Sequence, residues 1–273
     1  MTTLRNVRLT IAYEGTNYAG WQVQPEQSSV QGTIEGAIER LTGETIRIHG
    51  AGRTDAGVHA IGQVAHFHTE STIPPERFAP ALNRELPKDI IIHDSREVPD
   101  EFHARYSAVR KQYRYLIDTA ELTPPAMRDL VWRVHGAFDE VTLTEAATRL
   151  IGRHDFSAFE SKSSPDEDSC RTVQDIVVSR VPSAFGWHEN HELLAIAITA
   201  DGFLYNMVRS IVGTMVEVAQ GRWTTDDVTR MLKSRDRSQA GSTAPPHGLC
   251  LMWVDYAGAD QLHCEAESQE IVP

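Results

Sequence analysis

Apolar and polar positions alternate along Val7-Arg8-Leu9-Thr10-Ile11, the period-two pattern of a strand with one buried face. Glu14-Gly15-Thr16-Asn17-Tyr18 then turns the chain. Val30, Ile34, Ala37, Ile38 and Leu41 recur at helical spacing, and Gly43 supplies the stop. Residues 45–49 and 63–68 read as strands. Pro74-Pro75 opens a second helix with Phe78, Ala81 and Leu82 on one face. Ile90-Ile91-Ile92-His93 is a short buried strand. The first half therefore runs β-α-β-β-α-β, the split βαβ or ferredoxin-like order.

The second half repeats the order without repeating the sequence. Residues 112–118 form a strand, and residues 144–151 a helix that follows a loop region containing Pro124-Pro125. Residues 172–181 and 193–199 are strands. Leu204, Met207, Val208, Ile211, Val212, Met215, Val216 and Ala219 make one long apolar helical stripe, closed by Gly221. Thr225-Asp226-Asp227 starts a further short helix, and residues 249–254 are the last strand. The pattern predicts an α+β protein of two packed ferredoxin-like domains, residues 1–105 and 106–258, each an antiparallel sheet with helices on one face. Connections at 152–170 and 234–248 look irregular, and residues 259–273 lack periodicity and read as a disordered acidic tail.

Composition adjusts this picture in three places. At 273 residues and 41% apolar, the chain can bury a sizeable core. Its apolar runs carry charges or fall short of the ~20 residues needed to span a bilayer, and the first residues lack the apolar core of a signal peptide. The three cysteines are far apart and form no C-x-x-C pair, which supports neither a disulfide framework nor a cysteine zinc site and fits a reducing cytoplasm. The net charge of −12 argues against nucleic acid, but its distribution matters more than its sum. The tail after Val254 contributes −5, leaving −7 for the rest, whereas residues 103–114 hold Arg105, Arg110, Lys111 and Arg114 with no acid. Tyr106 and Tyr113 interleave with them, making either a local basic platform or one solvated strand face.

The stretch with most chemistry is Gly50-Ala51-Gly52-Arg53-Thr54-Asp55-Ala56-Gly57-Val58-His59-Ala60. Such a loop can bring its backbone against a ligand while aiming Asp55 and Arg53 into it. Arg53, two residues before Asp55, would favour the charged carboxylate and offers a planar fork for a phosphate or base. Equally, Asp55 could cap a turn beside a solvated Arg53. Tyr113 and Tyr115 share one sheet face; Tyr113 could stack on a nucleobase, and Tyr115 suits the core. Arg209, near the start of an apolar helix, either meets a carboxylate from the other half or lies on the solvent side. His66 and His68 share a strand face with further histidines nearby in sequence, but no third metal ligand is identifiable. The chain has no G-x-S-x-G elbow, phosphate loop or dinucleotide fingerprint.

The Gly50–Ala60 stretch resembles the catalytic signature of the tRNA pseudouridine synthase A family. Other segments resemble the family's motifs in the same order: Tyr13-Glu-Gly-Thr-Asn-Tyr-Ala-Gly-Trp-Gln22, Ser29-Val-Gln-Gly32, Phe102-His-Ala-Arg105, Lys111-x-Tyr113-x-Tyr115, His154-Asp-Phe156, Gly202-Phe-Leu-Tyr-Asn-Met-Val-Arg209 and Ala244-Pro-Pro-His-Gly-Leu-Cys-Leu251. The resemblance spans roughly residues 7–256. It implies two ferredoxin-like halves joined into one extended sheet, an active cleft between them, and a homodimer acting on one tRNA. The implied reaction converts uridine to pseudouridine in the anticodon arm, typically at positions 38, 39 and 40, without cofactor or metal. By the same resemblance Asp55 is the nucleophile or base, Arg53 fills the space of a flipped uridine, and Tyr113 stacks on the uracil and helps remove the C5 proton. Arg209 pairs with Asp55, Leu249 packs against the base, and Arg105, Arg110 and Lys111 bind phosphates. A non-catalytic RNA-binding protein and a metal-dependent hydrolase built on the histidines are the competing readings.

Overall fold

A computed structural model describes residues 4–161, 168–186 and 190–257. The elements of the first half are β1 (Arg5–Tyr13), α1 (Val30–Thr42), β2 (His49–Gly50), β3 (His59–Thr69), α2 (Phe78–Glu85) and β4 (Ile90–Val98). Those of the second are β5 (Ala108–Asp118), β6 (Trp132–Arg133), α3 (Glu140–Thr148), β7 (Gly152–Asp155), β8 (Cys170–Pro182), β9 (Glu192–Ala200), α4 (Met207–Ala219), α5 (Thr225–Ser234) and β10 (Leu249–Tyr256). Local chemistry sets several boundaries. The Ser29 side chain accepts from Gly32 N at the start of α1, and Gly43 closes that helix in the left-handed region at φ 77°. Thr224 and Asp227 form a capping box on α5.

The strands form one sheet in the order β4-β1-β3-β10-β5-β9-β8-β7, with β2 on β3 and β6 on β5. All described pairings are antiparallel except β10 with β3 and β5 with β6. The predicted β-α-β-β-α-β order is present in each half. Within the first, the order is β4-β1-β3-β2, and the second repeats it as β10-β5-β9-β8. The junction depends on a truncated strand. The stretch 45–49, read from sequence as a full strand, makes ladder bonds only at His49–Gly50, against His66 and Ala65. The rest of that edge of β3 is left to β10, where Cys250 and Leu251 pair with His59 and Ala60. Two further short strands, β6 and β7, were not apparent in the sequence, β7 lying in a stretch that reads as irregular. They are too short for a period-two pattern to register.

Strand register assigns the faces. Val7, Leu9 and Ile11 of β1 pair with Phe67, Ala65 and Gln63 of β3, and the apolar ones join Ile34 and Ile38 of α1 in a continuous core. Tyr113, Tyr115 and Ile117 of β5 point into the same core, as does nearly all of α4. Tyr115 is fully buried, as its placement in the core requires, and its hydroxyl donates to Pro245 O at 2.8 Å. The reverse face holds Asn6, Arg8 and His66. Asn6 Nδ2 donates to Pro99 O and Phe102 O, and the Arg8 guanidinium stacks 4.9 Å from the Tyr256 ring centroid. The acidic tail beyond 257 lies outside the described residues.

Candidate active site

The loop between β2 and β3 returns across the core face where the two halves meet. Trp21 N donates to Thr54 O at 3.0 Å, Ala51 N to Val64 O at 2.7 Å, and Gln63 Nε2 to Gly52 O at 3.0 Å. The Tyr13 hydroxyl lies 2.8 Å from Thr54 Oγ1. Gly20 makes this packing possible: at φ 101° it follows a path other residues resist, and a Cβ there would lie 2.6 Å from Thr54 O. His59 closes the loop. Its Nδ1 accepts from Gly15 N at 3.0 Å, so Nε2 carries the hydrogen and faces Asp129 O at 2.9 Å and His247 O at 3.1 Å.

This scaffold brings together residues far apart in the chain. Arg209 Nη1 donates to Asp55 Oδ2 at 2.8 Å and to Asn206 Oδ1 at 2.9 Å, while its Nε donates to Ala244 O at 2.8 Å. The Arg209 side chain is 16% exposed and that of Asp55 22%, so the pair is shielded yet open on one side. Asp55 Oδ1 has no hydrogen-bond partner among the described residues. One carboxylate oxygen is thus anchored and the other is available. Arg53, the cation nearest in sequence, does not pair with Asp55; it is exposed. The counterion comes instead from α4.

Tyr113 is 7% exposed and meets Phe203 edge-on at 5.0 Å between centroids. Burial raises its hydroxyl pKa far above the usual tyrosine value, with Tyr13, the Asp55 charge and Cys250 adding to the effect. The phenol is therefore held neutral and sits within the field of Asp55. Leu249, 5% exposed, is paired in register with Tyr115 at the start of β10.

The three predicted phosphate ligands separate. Lys111, on the same strand face as Tyr113, donates from Nζ to Ala51 O at 2.5 Å and so ties β5 to the Asp55 loop. Burial, followed by the charges of Arg105 and Arg171, lowers its pKa to about 8. Arg105 is exposed, with its guanidinium 5.8 Å from the Tyr106 ring centroid. Arg110 points to the reverse face, where it pairs with Asp255 at 2.8 Å and lies 5.5 Å from the Trp253 ring centroid. Of the three, Lys111 is the one that hydrogen-bonds the loop. The contacts of Asn206 with Ser161 and Arg209, and of His59 with Gly15, Asp129 and His247, join distant segments and leave no local signal in the sequence.

The histidines cluster on the reverse face. The His66 ring lies 4.6 Å from that of His103 and 5.3 Å from that of His49. His66 Nδ1 accepts from Ala104 N, and His103 Nδ1 accepts from Arg105 N and Tyr106 N. Two ring nitrogens are thereby spent on backbone, and among the described residues no group of three or more His, Cys, Asp or Glu has the placement to hold a metal. Burial, then the charges of His103 and His49, lowers the His66 pKa to about 4.

Taken together, a partly shielded carboxylate anchored by a guanidinium from the other half of the chain, beside a buried tyrosine, is an arrangement of the kind found in enzyme active sites. A family model described as tRNA pseudouridine synthase matches residues 9–107 and 146–257. Curated relatives named tRNA pseudouridine synthase A include those of Acetivibrio thermocellus, 47% identical, and Thermoanaerobacter sp., 44% identical, each aligned over 93% of this chain and 100% of the relative. The relative from Halalkalibacterium halodurans is 41% identical over 90% of both chains. The chain belongs to the tRNA pseudouridine synthase family, and is accordingly an isomerase.

Proposed function

We propose that the protein isomerises uridine to pseudouridine in the anticodon arm of tRNA, at the positions 38, 39 and 40 that its motifs imply, with Asp55 as the reacting carboxylate. The observation that carries this reading is the Asp55–Arg209 ion pair beside buried Tyr113, assembled from both halves. The reaction breaks the uracil N1–C1′ bond, forms C1′–C5, releases the C5 proton to solvent and takes up a proton at N1, so uridine and pseudouridine have the same composition. It calls for a carboxylate at the ribose or the base, not for a redox group. With Oδ2 held by Arg209, Oδ1 is the oxygen to attack. The target base leaves its stack to reach a carboxylate this shielded, and exposed Arg53, two residues from Asp55, occupies the space it vacates. Tyr113 presents its ring to the flipped uracil. Its hydroxyl, held neutral chiefly by burial, helps remove the C5 proton. Leu249 packs beneath the base. Lys111, Arg105 and Arg171 draw the backbone phosphates, with an affinity that falls as salt rises.

We read residues 1–105 and 106–258 as two domains that share the substrate, and the active form as a cytoplasmic homodimer on one tRNA. The decisive experiment is Asp55→Asn. Turnover on tRNA should vanish while tRNA binding is largely kept; pseudouridine still formed by this variant would sink the assignment. The dimer is checked by sedimentation at micromolar concentration, where full activity from monomers alone would refute it.

A further inference from the structure

Asn206 immediately precedes α4 and adopts a left-handed backbone, φ 62° and ψ 5°. Non-glycine residues rarely take this conformation, although asparagine tolerates it better than most. A glycine would adopt it without steric cost, so the side chain needs a reason to be there. Capping is not the reason. An asparagine at a helix start usually accepts from the N–H of the second or third helical residue, and the Asn206 side chain makes no such bond. Its amide is spent elsewhere: Oδ1 accepts from Arg209 Nη1 at 2.9 Å, and Nδ2 donates to Ser161 Oγ at 3.0 Å. Ser161 N donates in turn to Tyr205 O at 3.0 Å, so Ser161 holds both the amide and the backbone that carries it.

The Arg209 nitrogen held by Asn206 is the one that donates to Asp55. With Nε fixed on Ala244 O, Asn206 supplies the second point that sets the plane of the guanidinium. We infer that Asn206 is a positioning residue for catalysis, one that orients Arg209, and through it the Asp55 carboxylate, with Ser161 as its support. This inference rests on the proposed pseudouridine-forming role of Asp55.

The test uses Asn206→Gly in the full chain, which accommodates the left-handed backbone and removes the side chain that carries the amide. Single-turnover pseudouridine formation at saturating enzyme should fall about tenfold or more, as expected for loss of a hydrogen bond to a charged group. The Kd for tRNA should stay within about twofold, and the thermal midpoint should stay near that of the wild type. Ser161→Ala should give a smaller loss of the same kind, and the double variant should be no slower than Asn206→Gly alone. Turnover of Asn206→Gly within twofold of wild type would overturn the inference. So would a loss matched by weaker tRNA binding or a collapse in the thermal midpoint, or fully additive losses in the double variant. A wild-type protein that forms no pseudouridine in tRNA would instead overturn the proposed function itself.

Discussion

Arg209→Lys separates the charge of Arg209 from its geometry. In the native site the guanidinium serves three acceptors from two nitrogens: Ala244 O from Nε, and Asp55 Oδ2 and Asn206 Oδ1 from Nη1. A lysine ammonium is a single point charge and cannot occupy both positions. A hydrogen bond to a charged group contributes about 1.5–3 kcal/mol. The partial exposure of the pair, 16% and 22%, argues for the lower end. Losing about 1.5 kcal/mol of orientation at Asp55 corresponds to about tenfold, and displacement of the carboxylate by about 1 Å can extend that to about 100-fold. The expected result is therefore a 10- to 100-fold fall in single-turnover rate with tRNA affinity retained. Tritium at uridine C5 provides the assay, because the C5 hydrogen is lost to solvent when C5 bonds to C1′. Arg209→Met is the harsher companion. It leaves Asp55, Ala244 O and Asn206 Oδ1 without their donor, and should lower stability by about 3 kcal/mol, near the bottom of the range for breaking a buried pair. An Arg209→Lys enzyme that releases tritium within twofold of the wild-type rate would refute the argument that the fork orients Asp55.

Tyr113 on the core face and His66 on the reverse face give two further tests. Tyr113→Phe keeps the ring and its contact with Phe203, so tRNA binding should persist while turnover falls about 100-fold, the lower end for loss of a proton-transfer group; unchanged tritium release would confine Tyr113 to stacking. His66 has a folded pKa of about 4 against 6.5 unfolded, so between these values the unfolded chain binds more protons and stability rises with pH. Acidification through that window should cost up to about 3 kcal/mol. His66→Gln, which retains an acceptor for Ala104 N, should flatten the dependence of the thermal midpoint on pH; an unchanged slope would place the acid sensitivity elsewhere.

Most elements were legible in the sequence, β6 and β7 and the true length of β2 excepted, because strand alternation, helical spacing and end caps are properties of neighbouring residues. Val7, Leu9 and Ile11 had to share a face, and Gly43 had to end α1. It also carried the Asp55 loop and, through its motifs, the family. The tertiary structure decided what those elements meet. The alternation in β10 does not reveal that it enters between β3 and β5, since strand order depends on which edge an earlier strand leaves open, and β2 is too short to close that of β3. Nothing local distinguishes Arg110 from Lys111 as a phosphate ligand, yet adjacent strand positions point to opposite faces, and only Lys111 reaches the loop. The residues alone left Asp55 with Arg53 as its nearest cation. The actual partner, Arg209, is separated by 154 positions in the chain, and 2.8 Å in space. A contact of that kind exists only once both halves have folded onto one sheet, because it is packing, not sequence proximity, that brings the guanidinium to the carboxylate.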